Sequence, residues 1–466
     1  MLTIGDVSPR FGRRDFLKVG ALSLGGVTLN DLLRVKAQAG AARSTGLTTG
    51  KSVVFLFMHG GPSQVELFDP KMEAPTGIRS ATGELTTKLP GITFGGTMPK
   101  LAALADKFSI VRSFRTGDAN HDIKPVVSKT TFGANYGSLY SRVVGANNPI
   151  NGMPSNLMLF PQAVDPSTQP GTMSFGNFSN TGSFGNVYAP FVPGSGGEAQ
   201  ENLRLRLPMD RLDDRKLLLS GLDQVKWGYE KGGERSAVDK VRDQAFTTIM
   251  GGVADAFDLS KEDPRTLARY DTAPLLKPED ISRHWNNYKN YVDNGKTLGK
   301  LLLLSRRLCE RGAGVVTVTT NFVWDMHADV NNATVEEGMR YMGTPFDHAV
   351  SAFIEDCEAR GLGNDILLVC CGEMGRTPRI NSKGGRDHWG NLSPLMIYGG
   401  GLKMGQVIGQ STRDAGEPLT QPIENHNLIG TIMHTLFNVG ELRLSRSAPG
   451  EVTRVAADWT PIPGLS

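Results

Sequence analysis

Cysteine is scarce in this chain, which has only four among 466 residues, at positions 309, 357, 370 and 371. No two of them have the C-x-x-C spacing that is typical of cysteine zinc sites, so a zinc site built on cysteine is not expected. Cys357 falls on the apolar face of a predicted helix, whereas Cys370 and Cys371 fall in a predicted strand. We expect these three thiols to fill the core as small apolar side chains.

Long apolar runs and excess charge are also missing. No stretch approaches the roughly 18 uninterrupted apolar residues of a membrane span, so no internal span is expected. The first 39 residues carry six Arg/Lys and three Asp, a net +3 that equals the +3 of the whole chain, so the remainder is near neutral. A near-neutral protein has no electrostatic support for binding nucleic acid, and we expect no nucleic-acid partner.

The N-terminus carries a twin arginine. Arg13 and Arg14 precede a modestly apolar Gly/Leu/Val run and then KAQAGAA, a stretch of small residues of the kind found at signal cleavage sites. This pattern is typical of a twin-arginine (Tat) export signal, and a basic amphipathic helix is the alternative. We therefore predict a Tat signal at residues 1–42, either cleaved or retained as an anchor, and a periplasmic or cell-surface protein.

Short apolar strands alternate with helices in the rest of the chain. The predicted strands are SVVFLFM, FSIVRSF, NLMLF, GVVTVTTN, DILLVCC and SPLMIYGGG, and the clearest helices are KLLLLSRRLCERG, FDHAVSAFIEDCEARGLG and HNLIGTIMHTLFNVG. This alternation predicts an α/β fold with a doubly wound, mostly parallel sheet flanked by helices. Residues 43–466 are expected to form a single domain with a Gly/Ser-rich and helical insertion at about 161–300.

Polar residues collect where the predicted strands end, which is where open α/β sheets bind ligands. In chain order they are His59 and Ser63 in HGGPS, His121 and Lys124 in GDANHDIK, Asp325 and His327 in WDMH, Glu373 and Arg376 in GEMGRTP, and Arg386 and His388 in GRDHW. Imidazole and carboxylate groups converging at one sheet edge indicate a metal site. The structural alternatives are a hydrogen-bonded histidine at each position and a self-paired salt-bridge network in residues 372–390.

Four segments together carry a family resemblance. FLFMHGGPSQVELFDPK, WDMH, GEMGRTPRIN and GRDHW resemble the exported family called domain of unknown function 1501, over about residues 45–445. That family typically has a Tat signal and is similar in fold to the alkaline phosphatase and sulfatase superfamily, whose metal ligands lie at strand ends. The resemblance implies a divalent metal (zinc, calcium or manganese) with the ligands His59, Asp325, His327, Glu373 and His388.

The same resemblance places the nucleophile after the second strand, in TGDANHDIKPVVSKTTFG. The sulfatase signature C-x-P-S-R is absent there and no serine takes its place, so a formylglycine mechanism is not expected. The candidate catalytic residues are His121 as nucleophile or general acid, Ser63 and Lys124 as nearby reactive groups, and Arg376 and Arg386 as neutralisers of substrate oxygens.

These inferences lead to a hypothesis of an exported metal-dependent hydrolase of phosphate or sulfate esters, with a small-molecule or glycan ester as substrate. The alternative is a non-catalytic exported module that binds sulfated or phosphorylated glycans on the same scaffold. Its contact loop would be the Gly/Ser/Asn-rich stretch 165–200, with the aromatic residues Phe175, Phe178, Phe184 and Tyr188.

Export through the Tat pathway is testable with two conservative substitutions. We expect Arg13→Lys combined with Arg14→Lys to keep the precursor in the cytoplasm, because the translocase reads the arginine pair itself. Cell fractionation with an immunoblot checks this, and Arg10→Lys, which leaves the pair intact, is the control. Normal export of the double variant would contradict the prediction.

Overall fold

A computed structural model describes residues 46–194 and 253–465. The predicted signal and residues 195–252 of the predicted insertion lie outside the described residues. The strands are β1 Ser52–Phe57, β2 Glu84–Thr86, β3 Thr93–Gly95, β4 Phe108–Val111, β5 Phe114–Arg115, β6 Asn156–Leu159, β7 Val315–Thr319, β8 Ile366–Cys371, β9 Gly375–Arg376, β10 His388–Trp389, β11 Leu395–Gly399, β12 Val407–Ile408 and β13 Ile423–Glu424.

The α-helices of the described residues range from one turn to more than six. They are α1 Gln64–Leu67, α2 Pro99–Ala103, α3 Tyr136–Val144, α4 Val253–Phe257, α5 Pro264–Tyr270, α6 Tyr288–Glu310, α7 Val335–Ala359, α8 Asn425–Leu436, α9 Val439–Leu444 and α10 Gly450–Asp458. None of these helices is long and apolar enough to cross a membrane.

The central sheet has seven strands in the order β12-β4-β11-β8-β1-β7-β6. β1 pairs in parallel with β7 and β8, and β6 pairs in parallel with β7. β11 runs antiparallel between β8 and β4. The predicted fold class, a mostly parallel sheet flanked by helices, is confirmed.

Helices cover both faces of this sheet. Because side chains alternate across a strand, each strand contributes residues to both faces. In β1, Val54 and Leu56 face a core formed with α6 and α7, whereas Val53 and Phe55 face a second core formed with α3, α8 and α10. Each fully buried side chain of this size contributes roughly 1.5–3 kcal/mol. The all-apolar strands of the sequence therefore reflect burial on both faces, which is typical of parallel sheets.

Two elements differ from the sequence-based expectation. Helix α7 begins at Val335, well before the expected start at Phe346, and continues through Pro345. The proline removes one backbone hydrogen bond, and packing of α7 against α6 compensates for that loss. The expected strand FSIVRSF is split into β4 and β5, and β5 leaves the central sheet to pair with β13.

Helix α7 also supplies the cap of another helix. Helix α2 has no capping side chain of its own. Asp347 of α7 accepts hydrogen bonds from the backbone N–H groups of Leu101 at 2.7 Å and Lys100 at 3.1 Å. Burial raises the pKa of Asp347 to about 6, and these hydrogen bonds oppose the rise.

The raised pKa predicts how stability depends on pH. The folded pKa of about 6 exceeds the unfolded value, so the native state binds this proton more tightly, and the contribution of Asp347 to stability falls as pH rises from about 4 to about 6. Relative to Asp347→Asn, which cannot ionise, the wild-type protein should lose about 1–3 kcal/mol of unfolding free energy over this window. Urea denaturation at a series of pH values measures the difference.

The control is Glu355→Gln, which alters an exposed carboxylate on the same helix. A difference between wild type and Asp347→Asn that is independent of pH would contradict the assignment.

Candidate metal centre

The polar residues predicted at the strand ends lie at one edge of the central sheet. β1, β7 and β8 are parallel, so the loops that follow them emerge at the same edge. β11 runs in the opposite direction, which places the residues that precede it, including His388 in β10, at this edge as well. The reversal of one strand therefore brings GRDHW beside the loops that follow β7 and β8.

Three imidazoles and one carboxylate converge there. The ligand atoms of His121, Asp325, His327 and His388 all lie within 4.8 Å of one another. Asp325 Oδ1 lies 3.4 Å from His121 Nε2, 3.0 Å from His327 Nε2 and 3.3 Å from His388 Nε2. His327 Nε2 and His388 Nε2 are 2.7 Å apart. We call these four residues the His/Asp cluster.

Two further carboxylates orient histidines of the cluster. Glu373 Oε1 lies 3.0 Å from His121 Nδ1, and Asp387 Oδ1 lies 3.2 Å from His327 Nδ1. When Nδ1–H is donated to a carboxylate, each neutral ring directs the Nε2 lone pair toward Asp325 Oδ1. A lone pair facing an anionic oxygen at this distance is repelled unless a proton or a metal ion lies between them. This arrangement is the one by which carboxylates orient metal-binding histidines.

Arg376 compensates the buried charge of Asp325. Its guanidinium is buried, donates to Asp325 Oδ1 and to Gly60 O through Nη2, and places Nη1 3.3 Å from His327 Nε2. Burial would raise the pKa of Asp325, but the charge of Arg376 and the hydrogen bonds of the three histidines outweigh burial and hold the pKa well below its ordinary value. Asp325 therefore stays ionised.

His121 has the opposite shift. Burial lowers its pKa, but hydrogen bonds with Asp325 and Glu373 outweigh burial and raise the pKa above its ordinary value. A proton and a metal ion would therefore compete for the same ring nitrogen, as at metal sites generally.

Several predicted site residues lie outside the cluster, His59 and Ser63 among them. The ring of His59 packs among phenylalanine side chains, and neither of its nitrogens has a hydrogen-bond partner among the described residues. Burial lowers the pKa of His59. Ser63 caps helix α1 by accepting a hydrogen bond from Glu66 N at 3.4 Å. Glu373 is not part of the cluster but contacts it through His121, and it also accepts a hydrogen bond from the backbone N–H of Gly60.

Lys124 tethers the loop that carries His121. Its Nζ lies 3.0 Å from Asp118 Oδ1 and 3.4 Å from the backbone oxygen of Glu373. These contacts join the loop after β5 to the loop after β8. The lysine is therefore already paired within the fold.

Arg386 is fully buried and lies away from the cluster. Its Nε and Nη2 donate to Glu66 Oε1 at 3.1 and 2.7 Å, and the Glu66 side chain is also fully buried. Nη2 also reaches the backbone oxygens of Ile78 and Arg79, and Nη1 donates to those of Thr377 and Pro378. This ion pair holds residues 377–386 in place, so the neighbouring Asp387 and His388 reach the cluster. Both buried arginines of residues 372–390 thus pair with carboxylates outside this stretch, Arg386 with Glu66 and Arg376 with Asp325, and His388 of the same stretch joins the cluster.

Two glycines permit the close approach of the loops. A Cβ at Gly60, which has φ +114°, would lie 2.6 Å from Asp325 N, and a Cβ at Gly385 would lie 2.2 Å from the backbone oxygen of His327. Only glycine leaves room for the WDMH loop between its two neighbours.

The His/Asp cluster could hold a transition-metal ion. Bonds of about 2.0–2.1 Å place neighbouring ligand atoms about 3.0 Å apart in an octahedron and about 3.4 Å apart in a tetrahedron. The three distances from Asp325 Oδ1, 3.0–3.4 Å, fall in this range. The 2.7 Å between His327 and His388 is shorter, so one ring would shift by a few tenths of an ångström on binding.

Two carboxylates that hold site residues in place, Glu66 and Asp387, were not predicted from the sequence. Both lie in segments that it singled out, HGGPSQVELFDPK and GRDHW. A carboxylate directly before a ligand histidine was the available signal for Asp387. No signal paired Glu66 with Arg386, because 320 residues separate them.

Comparison with known proteins identifies a family. A family profile described as a protein of unknown function (DUF1501) matches residues 50–448. No curated protein matches the chain.

Solved structures that match the chain share little sequence with it. The lipoteichoic acid synthase LtaP from Listeria monocytogenes has 8% identity and a TM-score of 0.33, over 86% of this chain and 77% of that one. The PsFucS1 sulfatase from Pseudoalteromonas sp. has 12% identity and a TM-score of 0.34, over 86% and 70%. The phosphonate monoester hydrolase SpPMH from Silicibacter pomeroyi has 14% identity and a TM-score of 0.27, over 83% and 73%.

The Arg386–Glu66 ion pair can be tested through stability. We expect Arg386→Ala to cost about 3–5 kcal/mol of unfolding free energy, because it leaves the carboxylate of Glu66 buried without a partner. Chemical denaturation measures the cost. Arg379→Ala, in the same loop but exposed, is the matched control. A cost for Arg386→Ala no larger than that of the control would contradict the role of the pair.

Proposed function

The chain belongs to the DUF1501 family, and from its His/Asp cluster we propose that it is an exported metal-dependent hydrolase of phosphate or sulfate esters. One observation carries the proposal: three imidazole nitrogens from three separate loops lie 3.0–3.4 Å from one buried, ionised carboxylate oxygen. Carboxylates behind two of these rings complete an arrangement suited to holding a cation.

The types of donor atom narrow the choice of metal ion. Three nitrogens and one oxygen suit zinc or another first-row transition metal. Calcium prefers six to eight oxygen ligands, so it fits this donor set poorly. We therefore propose zinc first and manganese second, with His121, Asp325, His327 and His388 as ligands. A bound metal would polarise an ester oxygen and lower the pKa of a water molecule toward neutrality.

The surrounding residues set the charge at the site. Arg376 places a positive charge against Asp325 and so offsets the one anionic ligand. Glu373 and Asp387 hold His121 and His327 with their Nε2 atoms turned inward. Asp325 and Arg376 offset each other, and a divalent cation would balance the carboxylates of Glu373 and Asp387. An anionic ester would therefore be attracted by direct contact with the metal and not by a net charge of the site.

The attacking group is proposed to be water. Among the described residues, no serine or threonine hydroxyl hydrogen-bonds to a side chain of the His/Asp cluster, and Ser63 is used as a helix cap. The same observation favours the second candidate function, a non-catalytic module that binds sulfated or phosphorylated glycans at this metal. If the metal-loaded protein binds such a glycan without turnover, the binding module is the correct function.

Metal content tests the proposal. We expect about one zinc or manganese ion per chain in the purified wild-type protein, and loss of most of it in His388→Ala, because one of four ligands is removed. Elemental analysis of the folded proteins measures this, and His284→Ala, at an exposed histidine, is the control. Chelation should abolish hydrolysis of phosphate and sulfate esters, and zinc should restore it.

Asp387→Asn tests a supporting group, because this exposed carboxylate contacts His327 and Asn381 but is not one of the four proposed ligands. We expect metal affinity to fall about 10–100-fold in this variant with its folding intact. The exposed Asp365→Asn should leave affinity unchanged. Wild-type protein free of metal after expression in metal-replete medium would overturn the proposed function.

A further inference from the structure

An aromatic pair stands beside the His/Asp cluster. The rings of Phe175 and Phe322 are stacked, with centroids 4.5 Å apart and planes 24° apart. The His121 ring lies 4.6 Å from Phe322 and 5.1 Å from Phe175. On its other side, the His121 ring is 4.1 Å from the His388 ring. One histidine therefore separates the aromatic pair from the rest of the cluster.

Two separate segments build this pair and are tied together. Asn321, which precedes Phe322, accepts a hydrogen bond through its side-chain oxygen from Thr172 N at 3.1 Å. Gly176, which follows Phe175, packs so tightly on Ile123 that a Cβ there would lie 2.7 Å from the Ile123 side chain. Ile123 belongs to the loop that carries His121. The position of Phe175 is therefore set relative to the cluster.

Phe175 differs from the other aromatic residues of its segment. The Phe178 ring is fully buried against Phe57 and Phe160, and Tyr188 lies against Arg142. Phe175 is half-buried like Phe184 and Tyr188, but its ring also lies against His121. Part of Phe175 therefore remains exposed beside a residue of the His/Asp cluster.

We propose that Phe175, backed by Phe322, is the subsite for the organic part of the substrate, and that this part is a ring with a flat apolar face directly attached to the ester oxygen. The proposal rests on the proposed function, because an anion held at the His/Asp cluster is what brings the ring to Phe175. Aromatic side chains add affinity for a flat partner beyond that from buried area alone. Small-molecule sites are also usually pockets lined mostly by apolar side chains, with a few polar groups that orient the ligand.

The test uses two phosphonates that cannot be hydrolysed, benzylphosphonate and methylphosphonate, in which a methylene or methyl carbon takes the place of the ester oxygen and which differ only by the ring. Titration calorimetry on the zinc-loaded full-length protein should show benzylphosphonate binding about tenfold more tightly. In Phe175→Ala this preference should disappear, with methylphosphonate affinity and metal content unchanged. Phe175→Leu, which keeps apolar volume without a flat ring, should lose most of the preference.

Phe184→Ala is the matched control, since Phe184 is a half-buried phenylalanine of the same stretch 165–200 that packs against the second core, the one formed with α3, α8 and α10. It should keep the full preference. Equal binding of the two phosphonates by wild type, or an unchanged preference in Phe175→Ala, overturns the ring subsite and leaves the proposed function standing. A parallel loss of metal and of both affinities in Phe175→Ala also overturns the subsite, because the ring would then only support His121. Failure of the metal-loaded wild type to bind either phosphonate overturns the proposed function and the subsite with it.

Discussion

The charge of Asp325 is the constraint on which this edge of the molecule depends. A carboxylate buried and ionised in a protein must be compensated, because leaving its charge unpaired away from water costs several kcal/mol. Arg376 compensates it from β9, and histidines reach it from the loops after β5 and β7 and from the strand before β11. One oxygen atom thus joins three stretches that are distant in sequence, around residues 121, 325–327 and 376–388.

Each of these segments is in turn held by contacts outside the cluster. Lys124 ties the His121 loop to Glu373, and the Arg386–Glu66 pair fixes the chain just before Asp387 and His388. Gly60 and Gly385 let the loops approach one another at backbone distance. Rigid supports of this kind matter for a metal or substrate site, since ligands must be placed within a fraction of an ångström to act together.

The charged loop 372–390 illustrates how one segment serves two purposes. Its two buried arginines are almost equally hidden from solvent, but Arg376 faces the His/Asp cluster and Arg386 faces Glu66. A sequence pattern cannot separate them, because both follow a strand and both are surrounded by polar residues. Only their partners, far away in the chain, give one an electrostatic role at the cluster and the other a structural role.

The sequence by itself determined six of the seven strands of the central sheet, their two-sided burial and the loops that carry the candidate site, because apolar runs and strand-end polar residues are local patterns. It also indicated Asp325, His327 and His388 together. The tertiary structure alone decided that His121 joins them and that Glu373 hydrogen-bonds to His121. It also decided that the His59 ring packs among phenylalanine side chains. The reversed direction of β11 and the passage of α7 through Pro345 were likewise tertiary outcomes. These features depend on which distant group compensates a buried charge or covers an apolar face. Local sequence spacing does not identify that group.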